Sequence, residues 1–550
     1  MTAMKHKMRL FCMAALAFAV VTLAGCQKEE TLIGGGDGVH YTTTIKMAGG
    51  GTKALDASGH KTFAAGDRIA VVYTNTSGNT VKAVSAALTA EDIQNSGKAA
   101  NFSVELENPD TDEEVTYIYP ASMANSDGTV NYNALATQNG KLSNISANLD
   151  LCTYTGSWNG GSLPSNVQLV NQLAICKFTI KNDGTTLSDI RQLYIGDGTN
   201  GYYIKDGSNN LPSTVWVAMR PVSSSQWLTF HAYKNANNKY EKELTGKTLA
   251  AGNIYPINVS TEKLYQAALF GTFTVNDGGS KVRFSPSNLY VRHPEMPNTF
   301  LWAFYNNQFD FIGNEYGSGN NSYTDPGTTP YETYFDLFGW STNMPYHCFG
   351  ISHSEINTDY CIYWRDHFLD WGNEHVISSG ANSGNSMGQW RTLSHDEFVY
   401  LLTHSGATID GTSNACYAKG QLNGVHGVNS SHGPIHGIFL FPDHYTHPND
   451  VAVPLGINAG NSDIGWNGNI YSSDDWAKME MAGAVFLPAA GTRSGRIVTE
   501  EGGSCYYWTS SIAEDNLTAH YIKVTSSELN MNATQYFYKG SAVRLVKDAN

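Results

Sequence analysis

What most constrains this chain is the lack of convincing helical periodicity between residues 40 and 263 of its 550, where short alternating runs are broken repeatedly by turn residues. Segments 41–47, 68–74, 115–119, 175–180, 214–219 and 227–233 are rich in β-branched and aromatic side chains, which pack well on a pleated surface. Asp-Gly pairs at Asp127-Gly128, Asp183-Gly184, Asp197-Gly198 and Asp206-Gly207 accept positive φ and favour tight reversals. The pattern predicts an all-β sandwich, possible as two sequential lobes.

Charge narrows the range of partners. The chain carries 34 Lys+Arg against 49 Asp+Glu, a net charge of −15. The phosphate attraction that drives nucleic-acid binding would be a repulsion here, so no nucleic-acid partner is expected. With 15% charged residues the chain is also no disordered polyelectrolyte.

The first residues read as an address rather than as structure. Lys5, Lys7 and Arg9 precede an apolar run at 10–23 that is too short to span a bilayer comfortably. The run ends in Leu23-Ala24-Gly25-Cys26, which resembles a bacterial lipobox, so residues 1–25 are a signal peptide and Cys26 is the lipidation site. Residues 26–39, with their glycine run, are a flexible tether to the outer membrane. Glu29-Glu30 resembles the export signal that carries some lipoproteins of Gram-negative anaerobes to the outer face. Six cysteines remain beyond Cys12 and Cys26, and the sequence does not choose among their pairings.

Within residues 40–263 the segments Gly51-Thr52-Lys53-Ala54, Phe63-Ala64-Ala65-Gly66-Asp67-Arg68-Ile69, Tyr117-Ile118-Tyr119-Pro120-Ala121 and Ala251-Gly252-Asn253-Ile254-Tyr255-Pro256 resemble fimbrillin-like proteins in order and spacing. The resemblance implies transthyretin-type β-sandwich lobes that partner pilin subunits by β-strand complementation, with proteolytic processing near Lys53.

Residues 264–550 differ in texture, holding most of the histidines and long polar loops at 313–329 and 456–468. Short helices are expected at 394–403, with Ser394 as N-cap and Glu397 completing a capping box, and at 475–482 with Asp475 as cap. Strands are expected at 437–441, 484–487, 520–525 and 542–546. The segments at 282–289, Gln389-Trp390-Arg391-Thr392-Leu393-Ser394, Phe486-Leu487-Pro488-Ala489-Ala490-Gly491, Tyr506-Tyr507-Trp508-Thr509-Ser510-Ser511 and 542–546 resemble the paralogous domains related to sulfatase-modifying factor and formylglycine-generating enzyme. That resemblance implies an α+β, C-type-lectin-like domain with long loops.

Chemistry is weighed residue by residue. The enzyme of that superfamily holds copper with a cysteine pair, but here Cys505 has no second cysteine after it, so no enzymatic activity and no cofactor are expected. His432, His436, His444 and His447 invite a metal reading. His436 and His444 flank an apolar run, however, and would sit roughly 25 Å apart on an extended strand. His444, His447 and Asp443 remain as a possible small site, and the expectation is ordinary loop histidines with no metal. Trp390 and Trp508 belong in the core. Trp466 lies in a Gly/Asn-rich loop without apolar neighbours, so it is expected to stand exposed and to contact ligand with Asn461, Asp463 and Asn467; Asn458 is a further candidate.

The combined expectation is a lipid-anchored surface adhesin, a pilus tip or accessory subunit whose C-terminal domain binds a glycan or host protein. A stand-alone carbohydrate-binding lipoprotein and, behind it, an enzyme of the sulfatase-modifying type are the rivals.

Overall fold

The computed structural model describes residues 38–47, 62–264, 267–293, 301–313, 333–341, 368–378, 387–427, 433–461, 464–494 and 497–549. Cys26, Lys53, His432 and Asp463 lie outside the described residues. The fold is mainly β.

A first lobe is a sandwich of two sheets. One runs Ile93–Gln94, Ala99–Leu106, Val39–Lys46, Val167–Gln168, and the other Val170–Asn171, Cys152–Ser157, Glu114–Tyr119, Ala70–Thr74, Thr80–Val84. Alternation decides which side chains face inward: Phe102 and Val104 from one sheet meet Tyr117 and Tyr119 from the other in a single cluster with Phe63 and Trp158. Each such side chain contributes about 1.5–3 kcal/mol when fully buried. Strand Val39–Lys46 pairs along its whole length with Ala99–Leu106, but on its other side only Ile45 and Lys46 pair, with Val167 and Gln168.

A second lobe follows. Ala174–Asn182 lies between Thr214–Met219 and Ile254–Lys263, and the same sheet continues from Ile254–Lys263 through Asn238–Thr245, Trp227–Asn235, Gln192–Gly196 and Gly201–Lys205 to Thr137–Gln138. The lobes are interleaved. Met123, Leu135, Ile145 and Leu149, from the excursion after strand Glu114–Tyr119, pack into the second lobe's core beside Phe178, Tyr202 and Phe230.

Turn chemistry sets the hairpins. Asp183 and Gly184 both hold positive φ, 47° and 76°, which reverses Ala174–Asn182 into Thr185–Thr186. At Asp206-Gly207 the left-handed residue is instead Asn209, with φ 54°.

The C-terminal head closes on itself, because Lys281–Phe284 pairs antiparallel with Val546–Ala549 near the chain's end. Three further sheets carry its core: Thr333–Phe335, Leu289–His293, Leu301–Phe304, Ile377–Ser378; Ile470–Ser472, Tyr417–Asn423, Ile435–Leu440, Val485–Pro488; and Ser504–Ile512, Thr518–Thr525, Leu529–Tyr536. Helix His395–Thr403 starts as its sequence predicts: Ser394 Oγ accepts from Glu397 N–H and the Glu397 carboxylate accepts from Ser394 N–H. The second helix, Ser473–Ala482, corrects the expected cap. Ser472 is the N-cap and Asp475 is the third helical residue that completes the box, so the helix begins two residues earlier than the apolar pattern suggests. The expected strand at 542–546 is also later, since Ala542 forms only an isolated bridge and the regular strand starts at Val546.

Candidate functional site

The loop expected to carry ligand folds back on the head. Trp466 is 6% exposed and sits in the head's main core, its ring stacked on His436 at 5.7 Å and 10°. The expectation that Trp466 stands free is therefore corrected. The cover it lacks in sequence comes from His436 on strand Ile435–Leu440 and from the head's core cluster, and a ring so covered has no face for a sugar. The loop is also stapled. Asn458 Oδ1 accepts from Cys416 N–H at 2.8 Å and its amide donates to Asn414 O at 2.6 Å, so Asn458 holds backbone rather than ligand. Asn469 bonds Leu455 through both N–H and C=O, and the buried Lys419 ammonium donates to Gly460 O and Ser526 O. Asn461 and Asn467 are exposed, but without Trp466 they do not converge on an aromatic platform.

The histidines separate. His436 Nδ1 lies 2.6 Å from Gly502 O and Nε2 3.1 Å from Gln421 Oε1. His447 Nε2 meets Val451 O and Ala452 O, while His444 turns the other way, toward the second lobe. Asp443 is engaged by Thr274 Oγ1 at 2.7 Å and Gly406 N–H at 3.2 Å. Among the described residues Cys152, Cys176, Cys416 and Cys505 are buried thiols outside any disulfide, and burial pushes Cys416 up to about 12 and Cys505 higher still. Trp390 and Trp508 are each 2% exposed, within the core.

What the sequence reading did not locate is the joint between second lobe and head. After strand Ile435–Leu440 the chain runs along the lobe's edge. The Tyr194 hydroxyl donates to Thr446 O, Gly198 N–H to Thr446 Oγ1 at 3.2 Å, and Gly201 N–H to Asn449 Oδ1 at 3.0 Å. The Asn449 amide reaches Asn200 Oδ1 at 3.2 Å, and Gly201 bridges Pro448 as parallel strands do. Contact is close: a Cβ on Gly196 would lie 2.8 Å from Thr446 Oγ1, and one on Gly201 would collide with the lobe's own Tyr194 hydroxyl and lie 3.1 Å from His447 O. Beside this seam His444 stacks on Trp227 at 4.4 Å and places Nδ1 2.9 Å from Glu243 Oε2; the hydrogen bond to His444 holds Glu243 below the usual carboxylate range.

A deeper contact is made by helix Ser473–Ala482, which packs on strands Gln192–Gly196 and Gly201–Lys205. His231 is buried with its ring stacked on Phe270 at 4.6 Å and Nδ1 2.7 Å from Met481 O. A carbonyl only accepts, so Nδ1 carries the proton in the neutral ring. Burial, opposed by the Met481 carbonyl, pushes His231 down to about 4. The Lys239 ammonium donates to Ala267 O and Ala268 O, each at 3.3 Å, and burial lowers it to about 8. Glu241 of the lobe pairs with Arg283 of the head, yet burial outweighs that cation and keeps Glu241 above the usual carboxylate range. Tyr194 and Tyr203 of the lobe belong to the same apolar cluster as Phe270, Trp476 and Phe486 of the head. Bending this joint would expose that cluster and unpair the buried polar groups, so the contacts oppose it. The sequence signals were present as Gly196 and Gly201 in a strand pair, but their partners lie about 250 residues away, as the separation of Gly198 and Thr446 records.

No family model matches the chain and no curated protein matches it. Among solved structures it is similar to a candidate cell adhesion protein of Bacteroides fragilis, at 15% identity and a TM-score of 0.25, covering 41% of this chain and 97% of that one. It is similar also to a fimbrial assembly protein of Parabacteroides distasonis, at 12% identity and a TM-score of 0.24, covering 44% and 95%. A fimbrial protein of Bacteroides ovatus aligns over 93% of this chain and 100% of its own at 10% identity, with a TM-score of 0.20. At such scores these likenesses carry no conclusion about function.

Proposed function

We propose that this chain is a surface-displayed, lipid-anchored adhesin, a pilus tip or accessory subunit whose head binds a glycan or host protein without catalytic turnover. The observation that carries the reading is the joint. A head seated on a β-sandwich lobe through buried His231, Lys239 and Tyr194 passes a pull on the head into the lobe without a hinge, as a load-bearing gripping device needs. The lipobox at Cys26 supports the anchor, and the fimbrillin-like motifs support assembly. Strand Val39–Lys46, paired fully on one side and only at Ile45 and Lys46 on the other, has the form of a strand that a neighbouring subunit's strand could replace or extend, with Lys53 as the processing position.

Cys505 weighs against the sulfatase-modifying rival. It is buried and burial holds its thiol protonated, whereas a copper ligand must be an accessible thiolate. Immunoblots of surface material test the assembly part. Ladders that resist sodium dodecyl sulfate and contain this chain are expected, because strand-complemented polymers dissociate slowly. Only a monomer in the membrane fraction would turn the reading to a stand-alone carbohydrate-binding lipoprotein, and formylglycine formation by the purified chain would overturn both.

A further inference from the structure

Leu529–Tyr536 is the edge strand of the head's three-stranded sheet, beyond Thr518–Thr525. Its inward residues are committed: Leu529 and Met531 pack against one cluster and Ala533 against another, and Phe537 just beyond stacks on Trp340 at 4.8 Å. The outward row is Asn532, Thr534 and Tyr536, all exposed, with Tyr536 at 51%. Among the described residues none of these three side chains has a hydrogen-bond partner. Tyr538 continues the row, its ring 5.3 Å from that of Tyr536 and only 10° off parallel, and it is steadied in turn by Lys539, whose Nζ lies 5.7 Å from the Tyr538 centroid and donates to Ser494 Oγ at 2.8 Å.

We infer that this row, an open tyrosine ring braced by Tyr538 and aligned with the free amide of Asn532 and hydroxyl of Thr534, is a binding face for a neutral oligosaccharide. A pyranose presents an apolar C–H face to an aromatic ring and hydroxyls to amides and hydroxyls, which is the pairing laid out here. Charge selects neutral sugars. Across the strand pair His520, the register partner of Thr534, lies in the field of Asp396, Glu514 and Asp515, carboxylates that repel an anionic sugar. A protein partner fits less well, since a single strand's row falls short of the roughly 800 Å² per partner that a stable interface buries.

The inference rests on the adhesin reading above and names a ligand class and a site for it. The full chain is applied to a printed array of neutral and sialylated oligosaccharides, unsubstituted and as Tyr536→Ala, Tyr536→Phe and Thr534→Ala. Retention on neutral glycans is expected, weakened roughly three- to ten-fold by Tyr536→Ala and held within about two-fold by Tyr536→Phe, in line with the worth of a stacking ring. Thr534→Ala is expected to weaken it as well. All variants should melt alike, because the substituted side chains are exposed. Unchanged retention of Tyr536→Ala on the same glycans would overturn this face while leaving the adhesin reading intact. Retention only on sialylated glycans would overturn it too. Retention on none, with displaying cells still adhering to a protein-coated surface, would overturn the carbohydrate inference alone.

Discussion

Replacing Phe270 with alanine tests whether lobe and head are one body. Phe270 is 3% exposed, lies on the His231 ring at 4.6 Å and has the Lys239 ammonium 5.8 Å from its centroid. Truncating a buried phenylalanine costs about 3–5 kcal/mol through lost transfer energy and the cavity left behind. His231 and Lys239 keep their carbonyl partners, Met481 O and Ala267 O with Ala268 O, so no unpaired polar group adds to that figure. Urea unfolding followed by tryptophan fluorescence should therefore show a loss in this range, shared by the lobe and head transitions together. A second readout comes from His231 itself. Water entering the opened joint relieves the burial that depresses its pKa, so its imidazole proton signal should begin to titrate nearer the ordinary histidine range. A loss under about 1 kcal/mol with a silent His231, or a lobe transition that does not move when the head's does, would refute the claim of a rigid joint.

Trp466→Ala should cost about 3–5 kcal/mol of head stability, read by thermal melts, whereas a free loop tryptophan would leave the melt unchanged. Acidification should weaken the joint. His231 moves from 6.5 to about 4 on folding, so between those values the unfolded chain binds a proton that the folded one refuses; stability is full above pH 6.5 and falls by up to about 3 kcal/mol as pH drops toward 4. Urea midpoints at pH 7 and pH 5 check this, and His231→Gln should shrink the difference, leaving the part due to His375 and His447, which burial also lowers to about 4. Ser394→Ala should cost about 1 kcal/mol by removing the N-cap acceptor, measured as a shift in the urea midpoint of the head.

The local code of this fold was readable where neighbours in sequence set the outcome. Asp183-Gly184 turns as its residues dictate, and Ser394 with Glu397 forms the reciprocal cap three residues apart. Strand positions such as 214–219 follow from β-branched alternation alone. Misreadings arose where distant partners decide. Trp466 has only glycine and asparagine beside it in sequence, but His436, thirty residues earlier, supplies a ring to stack on. Asp475 looked like a cap because acidic residues favour the first turn, yet Ser472 is the residue with extended backbone whose oxygen accepts from Asp475 N–H. The joint was invisible for the same reason: Thr446 and His447, which approach Gly196 and Gly201, lie about 250 residues away in sequence.

Adherence of intact cells displaying the full chain, measured with and without Fab fragments raised against the exposed face of the head, tests the central claim most directly. Adherence that the anti-head Fab abolishes, and that an equally well-bound Fab against the first lobe leaves in place, is the predicted result. Adherence indifferent to a saturating anti-head Fab would contradict it.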